Sequence, residues 1–155
     1  MVKIATQGGD GKVAFASESV VITFTEAASK NDIVKLTLSG GAYSACTLAD
    51  ASESEDVEFT AVGVALDTVV AGAKGRVGLR GVFDCNVEGT TAAGNGLILS
   101  NDTDGRLIPI QAASGTPAEY AKIHAIALED DTSNVASCLF DGINGFAATA
   151  VAAQG

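Results

Sequence analysis

The feature that most constrains this chain is a succession of short apolar, β-branched or alternating runs punctuated by Gly, Asp, Asn and Ser. Such runs span residues 33–38, 58–66, 76–83, 96–99, 106–110, 120–128 and 135–140. Segments this short and this rich in Val and Ile suit a half-buried pleated strand and are too brief to make stable helices. The Ala-rich stretches 25–29 and 147–153 are short or Gly-bounded and read as turns or arms. The expected class is therefore all-β, a compact barrel or sandwich. With 155 residues the chain has room for one such domain.

Composition narrows the function classes. Hydrophobic residues are 47% and charged residues 18%, enough apolar surface to drive folding. Nine Lys and Arg against 19 Asp and Glu give a net charge of −10, which repels a polyphosphate backbone, so no nucleic-acid partner is expected. No run reaches the ~18 apolar residues of a membrane-spanning helix, so no membrane partner is expected. The first dozen residues carry no signal-peptide core, being interrupted by Gln7-Gly8-Gly9-Asp10-Gly11, and the expectation is synthesis in a cytoplasm.

The chain also matches itself. Leu38-Ser39 and Leu99-Ser100 each lead into a turn at a displacement of 61 residues, and Val64-Ala65-Leu66-Asp67 matches Ile126-Ala127-Leu128-Glu129 at 62. Two displaced segments in the same order predict two pseudo-repeated halves, whose closure would hide sheet edges. On this reading residues 30–142 form the β-barrel-like domain. Residues 1–29 form an extended N-terminal arm and residues 143–155 a small-residue tail. Within the arm, Val20, Val21, Ile22 and Phe24 make an apolar run that could add as a strand to a neighbouring sheet, and these four are the candidate partner-binding residues.

Searches for chemistry give structural readings. Ser100-Asn101-Asp102-Thr103-Asp104-Gly105 has part of a calcium-loop spacing, but Ser100 and Gln111 stand where the first and twelfth ligands should be, so a polar hairpin turn is expected. Gly72-Ala73-Lys74-Gly75 lacks the Ser or Thr that follows a phosphate-loop lysine. It reads as a turn between 69–70 and 76–77. Its lysine also lacks the flanking Met or Asp of a carrier-domain hairpin. His124 has no nucleophile elbow to serve and reads as a half-buried structural histidine. Ser52-Glu53-Ser54-Glu55-Asp56 with Glu58 reads as a solvated acidic loop rather than a catalytic carboxylate pair. Cys46, Cys85 and Cys138 have no metal-ligand spacing and read as buried thiols. No enzyme activity, cofactor or metal is expected.

Several segments in order carry a resemblance: Asn31-Asp32-Ile33-Val34-Lys35-Leu36, Ala61-Val62-Gly63-Val64-Ala65-Leu66, Ala71-Gly72 with Gly75-Arg76-Val77, Arg80-Gly81-Val82-Phe83, Ala92-Ala93-Gly94-Asn95-Gly96-Leu97, and Ala125-Ile126-Ala127-Leu128-Glu129-Asp130. Together they resemble the capsid cement, or decoration, proteins of tailed bacteriophages. That resemblance implies a homotrimer of β-barrel-like modules on the outer surface of the virion head, bound to the major capsid protein and stabilising contacts between its copies. The alternative is a carbohydrate-binding or adhesive β module, which aromatic platforms would favour; the chain has two Tyr, six Phe and no Trp.

Overall fold

The computed structural model describes residues 6–7, 12–13, 17–39, 42–48, 61–100, 103–110 and 122–146. Eleven strands run in chain order: β1 (Thr6–Gln7), β2 (Lys12–Val13), β3 (Glu18–Thr23), β4 (Ile33–Ser39), β5 (Ala42–Leu48), β6 (Ala61–Ala65), β7 (Lys74–Asn86), β8 (Gly96–Leu99), β9 (Leu107–Pro109), β10 (Ala125–Ala127) and β11 (Val135–Asp141). No helix occurs among the described residues. The class is all-β, as the sequence indicates. The acidic loop at 52–56 and the residues 147–155 lie outside the described residues.

Apart from the small β1–β2 pair, the strands form one nine-stranded antiparallel sheet in the order β5-β4-β6-β7-β11-β10-β8-β9, with β3 paired to β7. The far end of this sheet returns to its middle. Val87, just past β7, bridges Leu107 of β9, and the Glu88 N–H donates to the Leu107 carbonyl at 2.8 Å. The result is a nearly closed barrel, which leaves few exposed strand edges.

Two cores meet at β6, which is buried along its whole length. Its Val62 and Val64 join Ile33, Phe83, Cys85, Val87, Leu97, Leu99, Leu107 and the inward residues of β10 and β11 in the larger core. Its Ala61 and Ala65 face the other way, against Ile22, Phe24, Val34, Leu36, Val69 and Val77. Alternation along one strand therefore feeds both cores. The 13-residue β7 links them: its first half carries β3 and β6, and its second half pairs with β11 from Arg80↔Asp141 to Asn86↔Val135. At the join the register against β3 shifts, and Gly81 adopts φ +134°, a backbone conformation that L side chains rarely tolerate.

The pseudo-repeat is present in strand order and absent in register. The unit β4, β5, β6, β7 pairs as β5-β4-β6-β7, and β8, β9, β10, β11 pairs as β9-β8-β10-β11, the two joined through β7 and β11. Val64 and Ile126 do lie in equivalent strands. Yet Val64 is wholly buried in the larger core, whereas Ile126 sits between the buried Ala125 and Ala127 and points to the outer side, half-buried. A displacement wrong by one residue turns a side chain to the opposite face, so the 62-residue match pairs the right strands and the wrong positions. The Leu38 side chain lies outside the described ones.

The expected N-terminal arm, residues 1–29, also needs correction. From Glu18 on it is a strand of the barrel, paired from Glu18↔Arg80 to Thr23↔Lys74, and its apolar side completes the second core. Residues 143–146 likewise belong to the module, since Phe146 pairs with Ile123 and packs on a satellite cluster of Ile98, Ile108, Ile110 and Ile123. Two substitutions test the core. A Cβ on Gly142 would fall on the Val62 carbonyl oxygen, so Gly142→Ala should force the β6–β11 contact apart. Phe140 is 1% exposed and packs edge-on against Phe83, so Phe140→Ala should cost about 3–5 kcal/mol in urea unfolding.

Candidate functional site

Most sequence candidates have a definite place; the Cys46 side chain, Gln111 and residues 52–58 lie outside the described ones. Ile22 and Phe24 are 4% and 0% exposed and belong to the second core, so they are not free to pair with a neighbour. The physical reason is alternation along β3, which turns these two inward, where burial is worth more than an occasional intermolecular contact. Val20 and Val21 remain on the surface, Val21 at 67% exposed. Gly72 turns at φ +85° ahead of β7, but Val69 bridges Ala28 instead of pairing across that turn. The connection from β6 to β7 is held instead by Asp67. Its carboxylate accepts from the Arg76 backbone N–H at 3.0 Å and from the guanidinium at 2.7 Å, which holds its pKa down at about 2. Gly105, at φ +79°, turns the chain between β8 and β9, and Ser100 Oγ accepts the Thr103 N–H at 3.1 Å. Asp102 lies outside the described residues.

Cys85 and Cys138 are free and fully buried in the larger core, their thiols donating to the Phe83 and Ala136 carbonyls, and the neighbouring Cys138 thiol together with burial pushes the Cys85 thiol well above its usual range. A thiol held protonated in this way is a packing group and a poor nucleophile. His124 is 2% exposed, more deeply placed than the half-buried position expected of it, and its Nδ1 has no hydrogen-bond partner. Burial, with Lys122 adding to it, lowers its pKa from 6.5 to about 4 against the opposing pull of Asp141.

The surface that stands out was not among the sequence candidates. On the outer side of the sheet, Val82 of β7 is directly opposite Leu139 of β11, and Leu139 is directly opposite Ile126 of β10. These three side chains make an apolar row across three strands. Val82 is 37% exposed, Leu139 and Ile126 are half-buried, and Leu128, just beyond β10 and hydrogen-bonded to Ser137, is 50% exposed. Asp84 and Glu129 border the row on one side, Glu129 accepting the Ser137 N–H at 3.2 Å. On the other side Arg80 is held by Asp141 at 3.3 Å and Glu18 at 3.9 Å. Burial alone would raise the Asp141 carboxyl, but the Asn144 and Ile143 N–H groups and Arg80 hold it below its usual value. A signal existed in the sequence: Gly81-Val82-Phe83 and Cys138-Leu139-Phe140 are apolar at consecutive positions, which in a single sheet leaves one side chain of each run outside.

No protein-family model matches the chain, and no curated protein matches it. Among solved structures, the chain is similar to the N base of the head fibre protein gp8.5 of bacteriophage phi29, with a TM-score of 0.54 and 12% identity over 84% of this chain and 98% of that one. The likeness is one of fold. It spans nearly the whole of the neighbour's chain.

The buried histidine makes stability pH-dependent. The folded chain keeps His124 neutral down to about pH 4, while the unfolded chain takes up its proton near 6.5. Stability is therefore complete above pH 6.5 and declines as pH falls toward 4, by ~3 kcal/mol in all at 1.36 kcal/mol per unit. His124→Gln should flatten that segment of the urea-midpoint profile.

Proposed function

We propose that this chain is a structural accessory protein of a tailed-phage head, a homotrimer bound to the outer surface of the shell. There it stabilises contacts between copies of the major capsid protein and performs no catalysis. The observation that carries the reading is the fold match to a phage head-fibre base, which covers 98% of that chain. It agrees with the resemblance of the ordered segments from Asn31 to Asp130 to capsid cement proteins. Two features of the molecule fit a role of this kind. Its net charge of −10 suits a surface that does not touch packaged DNA. Among the described residues its functional candidates are apolar side chains on sheet surfaces, which is the form of an assembly contact.

Among the described side chains the aromatic residues give the adhesive alternative no support. Phe24, Phe83 and Phe140 are buried and Phe146 packs against the satellite cluster, so among the described side chains no ring offers a sugar-stacking platform. Of the four expected contact residues only Val20 and Val21 stay exposed, and the strand that carries them is already paired within the barrel. Deleting residues 1–25 would remove β3 and Phe24 from the second core and so would report on folding, not docking.

Electron microscopy of heads carrying and lacking the chain tests the role: ordered density outside the shell, and heads that withstand heating better with the chain than without it, are the expected results. Sedimentation of the isolated protein at micromolar concentration should give three times the 15.5 kDa chain mass. A stable monomer would remove the trimer from the proposal.

A further inference from the structure

We propose that the outer face formed by Val82, Leu139, Ile126 and Leu128 is the docking face, and that its occupant is an apolar patch of the head shell protein ringed by lysine and arginine. The inference rests on the head-accessory reading and adds which surface binds and what chemistry meets it.

The outer side of the sheet is apolar over a longer band than the row itself. The next strand, β8, places Gly96 opposite Ile126, and the space above Gly96 is taken by the Ile123 side chain. From there outward the chain covers its own sheet: Ile98, Ile108 and Ile110 are buried beneath Ile123 and Phe146. Across β10, β11 and β7 the band continues, and no described segment covers it. A band shielded over one half by its own chain and, among the described residues, uncovered over the other is a surface suited to a partner.

Charge decides the occupant. The border at Asp84 and Glu129 is acidic and exposed. Among the described residues the cation on the opposite border is Arg80, which already faces two carboxylates, Asp141 and Glu18. A second copy of this chain would therefore bring the Asp84 and Glu129 carboxylates against a face whose described cation, Arg80, is already paired. A partner with basic residues around an apolar centre would place opposite charges at the rim and exclude water from the row, the arrangement that gives an interface both specificity and strength.

The test uses undecorated heads of the phage that encodes the chain. The variants are Val82→Asp with Leu128→Asp, the charge reversal Asp84→Lys, and Val70→Asp as a control on a distant exposed turn. Their urea midpoints should match the wild type, because every substituted side chain is at the surface. The expected result is wild-type decoration, a loss of affinity of at least tenfold for the Val82 and Leu128 double variant, and no change for Val70→Asp. Asp84→Lys should bind several-fold more weakly at low salt, with the difference closing at high salt. If wild type decorates the heads and the double variant decorates them equally well, the face is wrong while the head-accessory role stands. If wild type does not decorate heads at all, both fail. Should the double variant instead break up the oligomer in sedimentation, the face joins copies of this chain and the shell protein is not its occupant. Unchanged affinity for Asp84→Lys at low salt would overturn the basic rim.

Discussion

Burial of β6 on both of its faces is the constraint on which the remainder of the structure depends. A strand in a barrel wall ordinarily alternates between core and solvent, but here Val62 and Val64 enter one core while Ala61 and Ala65 enter another. Both cores must therefore form around the same five residues, and neither half can be lost without exposing apolar surface from the other. The sizes follow from this shared wall. Valines supply volume to the larger core, and alanines let the second core approach closely enough for Phe24 and Ile22 to close over it.

The same constraint explains β7 and β3. To serve both cores, β7 runs 13 residues, past the ~5–6 that strands usually reach, and changes partner midway. The irregularity at Gly81 permits that change of partner, and the Arg80 contacts to Glu18 and Asp141 tie the three strands where it happens. Once β7 offers its first half, β3 has a ladder waiting for it, and pairing within the chain outcompetes pairing with a neighbour because its ends need no bimolecular encounter. The segment of residues 18–24 is thus structural for the same reason that it looks adhesive: its alternating apolar face fits a sheet.

What remains exposed after this internal pairing is informative. Among the described residues the barrel takes most large apolar side chains on its inward faces and covers the outside of the β8–β9 hairpin with Ile123 and Phe146, while the outer row on β7, β11 and β10 is left uncovered. Around it the described charges are the acidic Asp84 and Glu129 and the paired Arg80. The head-fibre base of phi29 shares the fold at 12% identity, so the shared property is the strand arrangement, with surface residues free to be set separately in each protein.

The sequence alone determined the class and most of the strands, because short β-branched runs bounded by turn residues admit few other structures: 96–99 and 135–140 coincide with β8 and β11 to within a residue. It missed β5 (Ala42–Leu48), whose Ala, Ser and Cys have little β preference of their own and are held by the ladder to β4. It also suggested the two-unit plan but not its register, since strings as short as Val64-Ala65-Leu66 and Ile126-Ala127-Leu128 fix which strands correspond while leaving facing undetermined by a single residue's slip. Only the tertiary structure decided that Ile22 and Phe24 are core and that Val82, Leu139 and Ile126 align across three strands. That alignment joins positions 57 and 44 residues from Val82 in the chain, and a juxtaposition of that kind is written in strand pairing, which no local pattern contains.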